Sequence, residues 1–158
     1  MSAPSVSIFI DSGPIHNNLS LSLPGTKVDY SKVLEYAKSL GTVVDAVVFG
    51  ALANENGHAF ETALRKQGWK TRFASRLPNG KFFDWSVGLA VEALRTKSEL
   101  IILGVTGPQH KPLVQALVPT KRIVILGVGV NKELGNLAHL KVDLDAKFHA
   151  VAQAAVEG

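Results

Sequence analysis

Lys81-Phe82-Phe83-Asp84-Trp85-Ser86-Val87-Gly88-Leu89-Ala90-Val91-Glu92-Ala93-Leu94 reads as a lead-in loop followed by a helix. Asp84 has the short acceptor side chain that caps a helix start. Val87, Leu89, Val91 and Leu94 offer apolar surface, and Glu92 projects a carboxylate from within the helix. The helix is expected over Asp84–Lys97, between two apolar, strand-like runs, Trp69–Leu77 and Glu99–Val105. Strand, helix, strand at this spacing is a βαβ unit with parallel strands.

The alternation recurs on both sides. Ser5–Ile10 is an apolar, β-branched run that ends on Asp11. Such a run reads as a central parallel strand, and its C-terminal edge is where open α/β sheets place ligands. Gly13-Pro14 is expected to break the chain into a loop carrying His16, Asn17 and Asn18, with an irregular excursion over residues 20–27. A helix follows over Tyr30–Leu40, capped by Asp29 or Ser31 and ended by Gly41. A strand over Thr42–Leu52, a turn at residues 54–57 and a helix over Ala59–Gln67 come next.

Beyond the fourth strand, Thr106–Gln109 is a loop and His110–Leu117 a short helix with Pro112 in its first turn. A strand over Arg122–Val128, a helix over Asn131–Leu140, a last strand at Val142 and Leu144, and an Ala-rich helix over Lys147–Val156 complete the chain. Five alternations predict one α/β domain over residues 1–158. It is a three-layer α/β/α Rossmann-like sandwich around a mainly parallel sheet of five or six strands.

Composition agrees with one globular domain: 158 residues, 46% hydrophobic and 19% charged. The absence of cysteine excludes disulfides, thiolate zinc sites and cysteine nucleophiles. No apolar run approaches the roughly 20 residues of a membrane span, and Met-Ser-Ala-Pro-Ser has no basic n-region. The expectation is a cytoplasmic protein with no membrane association. A net charge of +4 and a pI near 9.4 permit nucleic-acid binding without requiring it.

Four stretches resemble the NYN domain, the LabA-like branch of the PIN-like nuclease superfamily. Phe9-Ile10-Asp11-Ser12-Gly13-Pro14-Ile15-His16 is similar to the opening Ile-Asp-x-Ser-Asn-Ile/Leu, with Pro14 where asparagine is usual. Residues 84–94 are similar to Asp-Trp-Asp-Val-Gly-x-Ala-x-Asp-Ala-x, with Ser86 in place of an acid and Glu92 in place of aspartate. Residues 103–114 are similar to Ser-Gly-Asp-x-Asp-Phe-x-Pro-Leu-Val. Pro112, Leu113 and Val114 are in register there, while the two acids fall on Gly107 and Gln109 and the Phe on His110. In residues 133–144, His139 stands where the pattern has aspartate.

The resemblance implies a carboxylate cluster holding Mg²⁺ or Mn²⁺, the cofactor of a metal-dependent ribonuclease. Asp11 and Glu92 are the implied metal ligands, and Asp84 is a stand-in for Ser86 if it lies in the preceding loop. These three are the candidate catalytic residues if the domain is active. With the other acids missing, the leading expectation is a pseudo-nuclease with a degenerate site that binds single-stranded RNA or a protein partner. Basic residues among Trp69, Phe73, Phe82, Phe83 and Trp85 supply charge for phosphate and rings for stacking. Lys70, Arg72, Arg76, Lys81 and Lys111 are the candidate nucleic-acid contacts. A structural, homo-oligomeric role through residues 147–156 is the third reading. No GxGxxG follows the first strand, so no nucleotide cofactor is expected.

Overall fold

A computed structural model describes residues 2–52, 55–75, 77–81 and 83–144, the side chains of residues 55 and 56 excepted. Six parallel strands form one sheet: β1 (Ser5–Asp11), β2 (Thr42–Ala51), β3 (Lys70–Ala74), β4 (Leu100–Gly104), β5 (Arg122–Gly127) and β6 (Leu140–Asp143). Their spatial order is β3-β2-β1-β4-β5-β6. This is the doubly wound arrangement, whose strand order reverses between β1 and β4.

Side-chain alternation along the strands separates two cores. Val6, Ile8 and Ile10 of β1 pack with α1 (Ser12–Ser22), α2 (Tyr30–Leu40) and α3 (Glu55–Gln67). Phe9, Ile101 and Leu103 pack on the other face with α4 (Ser86–Arg95), α5 (Lys111–Leu117) and α6 (Lys132–Leu137). The predicted three-layer sandwich is thus the observed one. Ser7 is the one fully buried polar residue of β1, and its hydroxyl meets those of Ser98 at 2.7 Å and Thr96 at 2.9 Å.

Three expectations are corrected. The loop expected after Gly13-Pro14 is α1, a helix running to Ser22. Pro14 falls in its first turn, where the missing N–H costs nothing, and Ile15 and Leu19 supply a buried i,i+4 pair. The second correction concerns α4, which starts at Ser86 rather than Asp84 and buries Leu89 and Ala93. Of the four residues expected to supply its apolar surface, Leu89 is buried, while Val87, Val91 and Leu94 are 74%, 45% and 56% exposed. The third is β3, which ends at Ala74, short of Leu77. Asp29 proves to be the cap of α2, accepting from the N–H groups of Ser31 and Lys32. The expected helix at 147–156 lies outside the described residues. No helix among the described residues is long and apolar enough to cross a membrane.

Candidate functional site

At the C-terminal edge of the sheet an open cleft of about 770 Å³ is lined by Asp11 of β1, Gly50 and Ala51 of β2, α1, the loop before α4 and Gln109, beyond β4. Asp11, the last residue of β1, is 8% exposed and lines it. Burial, then the charge of Asp84, pushes the Asp11 carboxyl up to about 6, against a hydrogen bond from the backbone of Gly13. Asp84 lines the same cleft from the loop before α4. Its Oδ1 accepts from the Ser86 N–H at 2.8 Å. Hydrogen bonds from the Ser86 side chain and backbone hold this exposed carboxyl below its ordinary value, helped by nearby His110. His110 is 2% exposed, and burial lowers its pKa.

Trp85 fixes the loop. Its indole N–H donates to the carbonyl of Gly50 at 2.9 Å. Its ring lies 5.4 Å from that of Phe49 and 4.6 Å from that of Phe83. Phe83 is 42% exposed on the cleft wall. Opposite, α1 presents His16, Asn17 and Asn18. The Asn18 Nδ2 donates to the carbonyl of Val128 at 2.7 Å and ties α1 to the loop after β5.

The family model of the NYN domain matches residues 5–145. The chain belongs to the NYN domain family. This NYN domain has the Rossmann-like α/β fold expected of a nuclease-like member. A crystal structure of a protein of unknown function from Vibrio parahaemolyticus RIMD 2210633 is similar, with a TM-score of 0.83. The two are 19% identical over 94% of this chain and 97% of that one, which shows a shared fold. A search of curated proteins finds no match.

The carboxylates named from sequence divide between two places in this NYN domain. Asp11 and Asp84 meet in the cleft together with Ser86 and Gln109. Glu92 does not join them. It lies six residues along α4 from Ser86, about 9 Å of helical rise, and pairs with Arg72 at 3.3 Å. Together with Phe9, Asp45, Arg95 and Thr96 it lines a separate depression. Among the described residues the donor set in the cleft is therefore two carboxylates with only neutral groups beside them: the Ser20 and Ser86 hydroxyls, the Asn17, Asn18 and Gln109 amides and the His16 imidazole. Among the described residues no three His, Cys, Asp or Glu side chains come together to hold a metal ion. That set does not fit a two-ion centre, whose hard cations require several anionic oxygens. An added Cβ at Gly107 would meet the end of the flexible Gln109 side chain, so a side chain there requires Gln109 to swing aside.

Most of the basic candidates are already neutralised. Lys70 pairs with Asp45 at 2.9 Å, Arg72 with Glu92, and Lys111 with Glu133. Lys81 is exposed, and its ammonium makes no ion pair among the described residues. Arg76 and Phe82 lie outside the described residues. Sequence reading missed that α1 forms a wall of the cleft. The i,i+4 pair Ile15 and Leu19 was the signal available.

Proposed function

We propose that this NYN domain binds single-stranded RNA in the cleft at the C-terminal ends of β1 and β2 without cleaving it. One observation carries the reading: among the described residues two carboxylates, Asp11 and Asp84, are the acids lining the cleft. Ser86, Gly107 and Gln109 occupy positions where the family pattern has acids. One of the two carboxylates titrates near pH 6. Two such groups supply too little charge to strip a hard divalent ion of its water.

What remains suits binding. The first turns of α1 and α4, at Ser12 and Ser86, begin at the cleft and turn partly positive helix ends toward a phosphate. Phe83 offers an exposed ring for a base. Asn17 and Gln109 add amide groups to the lining.

A second reading, a metal-dependent ribonuclease with a reduced acidic site, is favoured by the placement of Asp84 beside Asp11. Cleavage of a labelled single-stranded RNA in Mn²⁺ and in EDTA, alongside a gel shift at rising salt, separates the two. The expected result is no cleavage in either buffer and a shift that weakens with salt. Cleavage lost both in EDTA and in Asp11→Asn would overturn the binding reading in favour of the second.

A further inference from the structure

On the far side of α1 lies a second cavity of about 470 Å³, a size ordinary for small-molecule sites. His16 and Ser20 border both this cavity and the main cleft, so the two spaces share a wall. Tyr30 of α2 and Phe60 of α3 line the cavity, and Thr26 and Lys27 line it from the loop between α1 and α2. The three rings touch one another: His16 to Phe60 at 5.3 Å between centroids, Tyr30 to Phe60 at 5.4 Å, and His16 to Tyr30 at 5.8 Å. Tyr30 is buried, whereas His16 and Phe60 keep part of their surface open.

The polar groups here are few and specific. Burial and the charge of Lys27 lower the His16 pKa to about 4, so the imidazole is neutral at pH 7. Its Nε2 is hydrogen-bonded with the Tyr30 hydroxyl at 3.1 Å. Its Nδ1 makes no hydrogen bond among the described residues and is left to donate or accept. Lys27 is exposed and unpaired among the described residues. It is the cation bordering the cavity, and no described carboxylate lines it.

We infer that this cavity takes one nucleotide, its base against the rings of Phe60 and His16 and its phosphate at Lys27. Aromatic walls with a few uncharged polar groups, the His16 imidazole and the Ser20 and Thr26 hydroxyls, suit a flat heterocycle with hydrogen-bonding edges, and the one described cation at the rim suits the anion attached to it. A core cluster alone would have its rings covered by side chains, and here they border open space. The wall shared with the main cleft lets a strand lying there turn one base across α1. The inference rests on the RNA reading where the nucleotide belongs to a strand. A free mononucleotide has the same chemistry, and the experiment separates the two sources.

The test compares wild type, Phe60→Leu and Lys27→Ala. Fluorescence anisotropy measures binding of a labelled single-stranded RNA of mixed sequence, and calorimetry measures binding of AMP and UMP. Phe60→Leu is expected to weaken RNA binding roughly tenfold, the weight of one stacked base. Lys27→Ala is expected to lower the salt slope by about 0.7, one phosphate contact on a single strand. Lys27 is exposed, so its variant carries the test even if Phe60→Leu does not fold. Equal RNA binding by all three proteins overturns the inference and leaves the RNA reading standing. AMP or UMP binding that depends on Phe60 and Lys27, with no RNA binding by wild type, supports the cavity with a free nucleotide and overturns the RNA reading. Binding of neither probe overturns both.

Discussion

Trp85 hangs its indole N–H on the backbone carbonyl of Gly50, joining the loop before α4 to the end of β2. The bond reaches across 35 residues of sequence. It holds Asp84 over the same cleft as Asp11. Trp85→Phe keeps an aromatic ring against Phe49 and Phe83 but removes the donor. The expected loss is about 1 kcal/mol of stability, the net weight of one hydrogen bond, measured by urea unfolding. RNA affinity should fall with it, because the loop carrying Phe83 and Asp84 loses its tie to Gly50.

Two groups give the stability opposite pH dependences. Asp11 has a pKa of 3.8 unfolded and about 6 folded. Between those values the folded chain holds a proton that the unfolded chain has released, so stability falls as pH rises through the window. His16 moves the other way, from 6.5 unfolded to about 4 folded. There the unfolded chain holds the extra proton, and stability rises with pH. Each effect is at most about 3 kcal/mol, so the two largely cancel between pH 4 and 6. Asp11→Asn removes one of them. Its unfolding free energy should climb steeply from pH 4 to 6.5, while wild type stays nearly flat over the lower part of that range.

Glu92 serves Arg72 rather than the cleft. The pair is partly exposed, 42% for the Arg72 side chain and 28% for that of Glu92, and surface pairs of this kind contribute about 0–1 kcal/mol. Glu92→Gln should therefore cost under about 1 kcal/mol and leave RNA affinity undiminished. A matching titration of Asp84→Asn should show changed binding, since that carboxylate faces the cleft. A change of RNA affinity in Glu92→Gln equal to that in Asp84→Asn would place Glu92 in the site after all.

The sheet was legible in the sequence because its strands are short continuous apolar runs: Leu100–Gly104 is buried throughout, and a run too short for a helix, set between helical patterns, reads as a parallel strand. Helix α1 was not legible, since Gly13-Pro14 is both a breaker pair and a tolerable first turn. The buried stripe of α4 was only partly legible for a related reason. Val87, Leu89, Val91 and Leu94 are all apolar, but of these Leu89 alone is buried, together with Ala93, and apolarity does not reveal direction. For the site, Asp11 and Asp84 were readable one at a time. Their meeting depends on the Trp85–Gly50 bond, a long-range contact that no local pattern encodes. The pairing of Lys70, Arg72 and Lys111 with acids was equally hidden, because Asp45, Glu92 and Glu133 lie 20 or more residues away.

If missing charge is what keeps divalent ions out, returning it should let them in. Ser86 and Gln109 line the cleft with Asp11 and Asp84, so Ser86→Asp with Gln109→Asp places four carboxylates around one space. Aspartate at the first residue of α4 is also favoured by the helix dipole, and shortening Gln109 vacates the space over Gly107. Without metal, the added like charges should raise the Asp11 pKa further and lower the melting temperature. With Mn²⁺ at about 100 times its dissociation constant, binding should restore about 2.7 kcal/mol, reversed by EDTA, while wild type shows no such shift. Cleavage of labelled RNA by the double variant in Mn²⁺ is the accompanying expectation. A double variant that folds yet gains no Mn²⁺-dependent stability would mean that the lost acids are not what separates this cleft from a metal site.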